Sequence, residues 1–212
     1  MFEYSLAHWG TFLVAAILLN LSPGPDIAFI LAQTAKNGQR SGFAAMFGIW
    51  SGTFLHVLLA ALGLSAILAT SATAFIFVKW LGAAYLIWLG IQALRSNGAS
   101  YAAKSGTTKL SNKKIFQQAV MVAALNPKVA IFFLAFLPQF VVVGAGPVSA
   151  QLFLHGILII VVAAFIEPPL IFLGARLTGY LSKNPYVAAW MDRGLGSLFI
   201  GLGIRLAMTE RL

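Results

Sequence analysis

Five ionisable residues fall well inside the long apolar runs of this chain: Asp26, His56, Lys128, His155 and Glu167. Charge at membrane depth is costly, so each needs a partner or a task. Asp26 closes the stretch Ser22-Pro23-Gly24-Pro25-Asp26, set in an apolar run from about Leu6 to Ala35. Each proline removes a backbone donor and crowds the preceding turn, while glycine adds backbone freedom. The stretch therefore predicts a helix that stops, opens backbone groups toward a cavity, and restarts with Asp26 near its new N-terminus. There the carboxylate can cap backbone N–H groups, and it can also bind a proton or a substrate ammonium. Glu167-Pro168-Pro169 reads as a second break with an acid, either for proton coupling or for an ion pair with Lys128 or Arg176. Asn126-Pro127-Lys128 frees carbonyl groups in a further run. The Asn126 amide could ligate substrate or re-satisfy backbone opened by Pro127, and Lys128 is read chiefly as neutralising an acid. His56 and His155 could relay protons, although a lone buried histidine is more often a satisfied hydrogen-bonding group.

These residues need elements to position them, and composition says which kind. The chain has 212 residues, is 60% hydrophobic and 9% charged, with a mean hydropathy of +0.90. A soluble domain of this length could not hide so much apolar surface, so lipid is the expected solvent. Apolar runs near residues 6–35, 43–70, 74–94, 115–140, 148–174 and 190–208 predict about six membrane-spanning helices. The first is expected to be a retained span, since Met1-Phe2-Glu3-Tyr4 has no basic character. Trp9, Trp80, Tyr186 and Trp190 near span ends read as interfacial anchors. Gly48, Ser51, Gly52 and Thr53, with Gly82, Gly90, Gly196, Gly201 and Gly203, read as close helix packing.

The formal charge is +9, and its distribution decides its meaning. Lys36 and Arg40 share one gap; Arg95, Lys104, Lys109, Lys113 and Lys114 share another; Arg176, Lys183 and Arg193 lie around a third. The gaps near 71–73 and 143–146 hold no Lys or Arg. This alternation is the positive-inside pattern, with the N-terminus outside, and it is not a nucleic-acid patch. The absence of Cys excludes disulfides, thiolate metal sites and thiol redox chemistry. No phosphate-binding loop, zinc-type His-Glu spacing or nucleophile elbow is present, so neither an enzyme nor an ATPase is expected.

The polar stretch 95–114 reads as a cytoplasmic linker between a first three-helix half, 1–94, and a second, 115–212. Leu21-Ser22-Pro23 has a counterpart in Leu125-Asn126-Pro127. Leu81-Gly82 with Leu89-Gly90-Ile91-Gln92 resembles Leu195-Gly196 with Leu202-Gly203-Ile204-Arg205, with one residue fewer between. An odd number of spans per half makes the halves inverted repeats, and paired interruptions in corresponding spans point to a transporter site. The fold class is thus an all-α membrane protein of two inverted three-helix repeats, with the first and fourth helices broken.

Ser22-Pro23-Gly24-Pro25-Asp26 resembles the first-span signature of the lysine exporter (LysE) and homoserine-threonine resistance (RhtB) superfamily of bacterial amino-acid exporters. The segments Gly38 to Gly42, Gly48 to Gly52, Leu81 to Leu86 and Leu125-Asn126-Pro127-Lys128 through Phe140 are similar to it as well. The resemblance implies a multi-pass protein of the bacterial inner membrane that exports amino acids or close derivatives, driven by the proton motive force. On the residues, Ser22, Pro23, Gly24, Asp26, Asn126 and Pro127 are the expected substrate contacts, and Asp26 with Glu167 the expected proton carriers. Few acids are available for a cationic side chain, which favours a neutral substrate such as homoserine, threonine or leucine. The expected partners are that substrate, protons and the bilayer, with no cofactor or metal; a homo-oligomer is compatible with the chain. The alternative reading is a small ion channel or metal-ion exporter.

Overall fold

The structure is a computed structural model that describes residues 4–21, 24–66, 72–95 and 110–208. Its elements are α1 (Leu6–Leu21), α2 (Pro25–Asn37), α3 (Gln39–Leu59), α4 (Ala72–Leu94), α5 (Asn112–Ala124), α6 (Pro127–Ile131), α7 (Val148–Lys183) and α8 (Pro185–Met208). A π-helical turn, Ala60–Leu64, extends α3, and π and 3-10 turns over Phe132–Phe136 and Leu137–Phe140 extend α6. Among the described residues there is no strand.

Two segments are long and apolar enough to cross a membrane unbroken: Gln39–Leu64 and Val148–Gly174. Two more spans arise if each bent pair counts as one, α1 with α2 at 50° and α5 with Pro127–Phe140 at 44°. α4 and α8 have 23 and 24 residues. At 1.5 Å per residue, each is about 35 Å long, enough for a hydrocarbon core of about 30 Å. The first and fourth spans are broken, at the residues the sequence indicates.

The fifth span corrects one expectation. Pro168 and Pro169 lie inside α7, which continues as one helix from Val148 to Lys183. Proline's fixed φ suits a helix, and in a membrane its neighbours can hold the turn whose donors it removes. Glu167 therefore projects from a continuous helix.

Small residues bring the helices together. A Cβ placed on Gly52 would sit 2.6 Å from the Val120 carbonyl oxygen, and one on Gly48 would strike the Phe116 carbonyl, so α3 and α5 touch backbone to backbone. α4 and α8 meet in the same manner: a Cβ on Gly90 would lie 2.6 Å from the Gly196 oxygen, and one on Gly203 would lie 2.9 Å from the Ala83 oxygen. Without a hydrophobic drive between helices in lipid, such close approach supplies the packing energy. One core joins α1, the extension of α6 and α7 through Phe12, Leu19, Phe132, Phe133, Phe136, Leu152 and Ile159. A second joins α2, α3, α5 and α7 through Ile30, Met46, Ile49, Ile115, Ala119 and Ile171. Of the expected linker, residues 96–109 lie outside the described residues, and Asn112–Lys114 form the first turn of α5, where the Lys114 N–H donates to the Ser111 hydroxyl at 3.4 Å.

Candidate substrate and proton site

Both broken spans restart on proline, whose missing N–H is one that the first turn leaves unpaired anyway. α2 begins Pro25-Asp26 after Gly24, which is extended (φ −173°, ψ −178°) and makes no side-chain cap. The Asp26 carboxylate is therefore not spent as the N-cap. α6 begins Pro127-Lys128 after Asn126, whose side-chain oxygen accepts from the Lys128 N–H at 3.0 Å. Asn126 thus caps its helix and re-satisfies backbone opened at the break.

The two restarts face one pocket, completed by α1, α3 and α7. Its polar lining is Asn20, Asp26, Trp50, Thr53, Lys128 and Glu167. Ile27, Ile49, Ile159, Ile160 and Ala163 supply much of its apolar wall. Counted over the positions open to a water's centre, the cavity measures about 40 Å³, room for about three waters. The Trp50 indole N–H donates to Glu167 Oε2 at 2.7 Å, so Glu167, 4% exposed, has a fixed partner 117 residues away in the chain. The Lys128 ammonium donates to the Leu19 carbonyl at 3.3 Å, one of the carbonyls that the first break leaves without a helical partner. It also acts electrostatically on Asp26. Asp26 Oδ1 and Asn126 Nδ2 are both buried with no hydrogen-bond partner.

Of the expected site residues, Gly24, Asp26 and Glu167 line this pocket. Asn126 and Pro127 shape its edge as cap and first helical residue, and they are not part of its lining. Ser22 and Pro23 lie outside the described residues. His56 is engaged in packing, its Nε2 lying 3.1 Å from the Ala123 carbonyl. Trp80, Tyr186 and Trp190 are exposed, as anchors would be, whereas Trp9 is half-buried and stacks on His155. Sequence reasoning missed Asn20 and Trp50. An indole N–H in the middle of an apolar span needs an acceptor, and that was the available signal for Trp50. The Asn20 amide donates to the Ala16 carbonyl at 2.9 Å and the Ile159 carbonyl at 3.3 Å, tying α1 to α7 at the pocket wall.

A family model described as LysE type translocator matches residues 17–210, covering both breaks and the whole pocket. The chain belongs to that family. It is 34% identical over 211 residues to the homoserine/homoserine lactone efflux protein of Salmonella typhimurium, covering 95% of this chain and 97% of the relative. It is 30% identical over 208 residues to a leucine efflux protein of Salmonella typhi, covering 98% of each. An uncharacterised membrane protein of Pseudomonas aeruginosa is 32% identical over 208 residues, with 95% of each chain covered. No solved structure matches this LysE-type chain. It is an α-helical membrane protein of a translocator family, and the named relatives are efflux proteins.

Proposed function

We propose that this LysE-type protein exports a small neutral amino acid, or a close derivative, across the bacterial inner membrane in exchange for protons. The observation that carries the reading is the convergence of Asp26, Lys128 and Glu167 on one pocket between two broken spans. An amino acid offers an ammonium and a carboxylate, and the pocket offers carboxylates and an ammonium. Asp26 takes the substrate ammonium in one state and a proton in the other, while Glu167, held by Trp50, is the second proton carrier. Lys128 neutralises Asp26 and, with the helix N-termini at Pro25 and Pro127, favours the substrate carboxylate. The isoleucine and alanine wall suits an uncharged side chain, in keeping with relatives named for homoserine and leucine efflux.

The two halves, 1–94 and 115–212 joined by the 95–114 linker, are read as inverted repeats. The packing supports this: α3 lies on α5 in the fourth span, α7 lies on α1 and α2 in the first span, and α4 and α8 meet through near-reciprocal glycine contacts. Rocking between such halves would open the pocket alternately to each side, admitting substrate in place of water. One charge moved across about 100 mV is worth roughly 2.3 kcal/mol, enough for a gradient of tens-fold.

The test is uptake of labelled amino acids into everted membrane vesicles with an imposed proton gradient. Uptake of neutral amino acids that a protonophore abolishes is the expected result. Uptake of cationic ones alone, or uptake indifferent to the protonophore, would overturn the reading.

A further inference from the structure

A second set of polar groups, which the pocket does not use, joins the start of α1 to α7. His8 Nε2 and His155 Nε2 lie 2.9 Å apart. His155 Nδ1 lies 2.8 Å from the Gln151 carbonyl. A carbonyl only accepts, so Nδ1 carries a proton, and in the neutral ring Nε2 is then an acceptor. His8 Nε2 must be the donor, and one proton sits between the facing nitrogens.

Aromatic rings surround the pair, with His155 buried and His8 half-buried. Tyr4 stacks on His8 at 4.4 Å between centroids, Trp9 stacks on His155 at 5.5 Å, and Phe12 and Phe140 pack against His155 at 4.8 and 5.8 Å. The Tyr4 hydroxyl donates to the Gln151 side-chain oxygen at 3.0 Å. The Gln151 amide group also binds the Val142 N–H, the Val142 carbonyl and the Gly146 carbonyl, holding the loop before α7 over the pair. Among the described residues, Tyr4 is the titratable group packed on the pair from the N-terminal stretch; α1 contributes Trp9 and Phe12, the extension of α6 contributes Phe140, and α7 contributes Gln151. Burial pushes the Tyr4 phenol up, so it stays a donor across physiological pH. Gln151, His155, Ile159, Ala163 and Glu167 form one buried row at every fourth residue of α7, and the last three line the pocket. The row runs from the imidazole pair to the site.

We propose that the His8–His155 pair is a second proton-binding site, at the outer end of the pathway, that latches α1 to α7 and releases when it takes a second proton. A first incoming proton goes to His8 Nδ1 and leaves the hydrogen bond intact with a cationic donor; the second binds His155 Nε2. Both facing nitrogens are then donors on cationic rings, and attraction becomes repulsion. The latch couples protons arriving from outside to opening of the outer mouth, the direction an exporter driven by those protons needs. It rests on the outside placement of the N-terminus and on the proton-coupled reading above, but not on which substrate is carried.

The chain contains no cysteine, so a single introduced thiol reports cleanly. Ala16, fully buried on α1 beyond the pair, is the reporter position, and Val143, 83% exposed, is the control. Right-side-out vesicles carrying Ala16→Cys or Val143→Cys are treated with a membrane-impermeant maleimide, and the ratio of the two rates cancels the pH dependence of the thiolate. On lowering the pH from about 7.5 to about 5.5, the ratio is expected to rise about tenfold. It is expected to stay flat when His155→Gln or His8→Gln is added. A flat ratio in the parent, an equal rise without the histidines, or labelling only from the inner face would each overturn the latch. Ala15→Cys, also buried on α1, serves as reporter if Ala16→Cys does not fold. No amino acid is needed, so failure here is distinguishable from failure of the transport reading, which the uptake assay measures.

Discussion

The two helix breaks use one backbone device to opposite electrical ends. Each bends its span by a similar angle, 50° in the first and 44° in the fourth, and each restarts on proline followed by a charged residue. In the first that residue is Asp26, and the residue before the proline is a glycine with no side chain to cap the helix. In the fourth it is Lys128, and the residue before the proline is Asn126, which caps the new helix with its own side chain. The fourth break caps its own backbone and donates a cation, while the first has no side-chain cap and places a buried carboxylate in the pocket. Under the proposed function, Asp after one restarting proline and Lys after the other make an asymmetric site that matches both ends of an amino acid.

The largest expected effect comes from removing one side of that match. Lys128→Met leaves Asp26 without its neutralising charge, and an uncompensated buried charge costs about 3–5 kcal/mol. Export is expected to fall at least about 100-fold, and Asp26→Asn added to Lys128→Met should restore much of the lost thermal stability without restoring export. Thermal stability in detergent and uptake in everted vesicles separate the two. If the double variant is no more stable than Lys128→Met, the two residues are not coupled across the breaks.

Next is the third member of the pocket. Glu167→Gln keeps a hydrogen-bond acceptor for Trp50 but cannot ionise. Uptake at saturating gradient is expected to drop about tenfold and to lose part of its pH dependence. Trp50→Phe removes the indole donor, worth about 1.5–3 kcal/mol when its partner is charged. It should shift the pH profile of uptake; an unchanged profile would make the hydrogen bond incidental.

A smaller effect is expected from the packing that holds the breaks in place. Gly52→Val puts side-chain atoms where a Cβ alone would lie 2.6 Å from the Val120 carbonyl, and overpacking of this kind costs about 1–3 kcal/mol. The smallest belongs to the fourth-break cap: Asn126→Ala should lose about 1 kcal/mol of stability, and Asn126→Ser should recover most of it. A loss of export far beyond that stability change would assign Asn126 a direct substrate contact.

Much of this was legible in the residues. Pro-Gly-Pro-Asp and Asn-Pro-Lys carry their own backbone chemistry, so the breaks and the placement of Asp26 after a restart followed from local rules. The reading of Pro168-Pro169 failed for the complementary reason. Proline says which donor is missing but not whether neighbouring helices hold the turn, and here α7 stays continuous. Trp50 and Asn20 were hidden because their partners, Glu167 and the Ile159 carbonyl, lie 117 and 139 residues away. Their tasks belong to tertiary contact, and neither has a local pattern. His155 gave the same difficulty: alone it reads as a satisfied core group, and only the fold sets it against His8.

The most direct test of the account is proton movement in proteoliposomes of purified Asp26→Asn. A neutral carboxamide holds that position permanently in its uncharged, proton-loaded state and cannot pair with the substrate ammonium, so the account predicts that the variant loses exchange of labelled for unlabelled substrate. It should neither accumulate substrate against a gradient nor move protons when substrate is added. Accumulation and substrate-linked proton flux equal to those of the parent protein would contradict it and remove Asp26 from the coupling role.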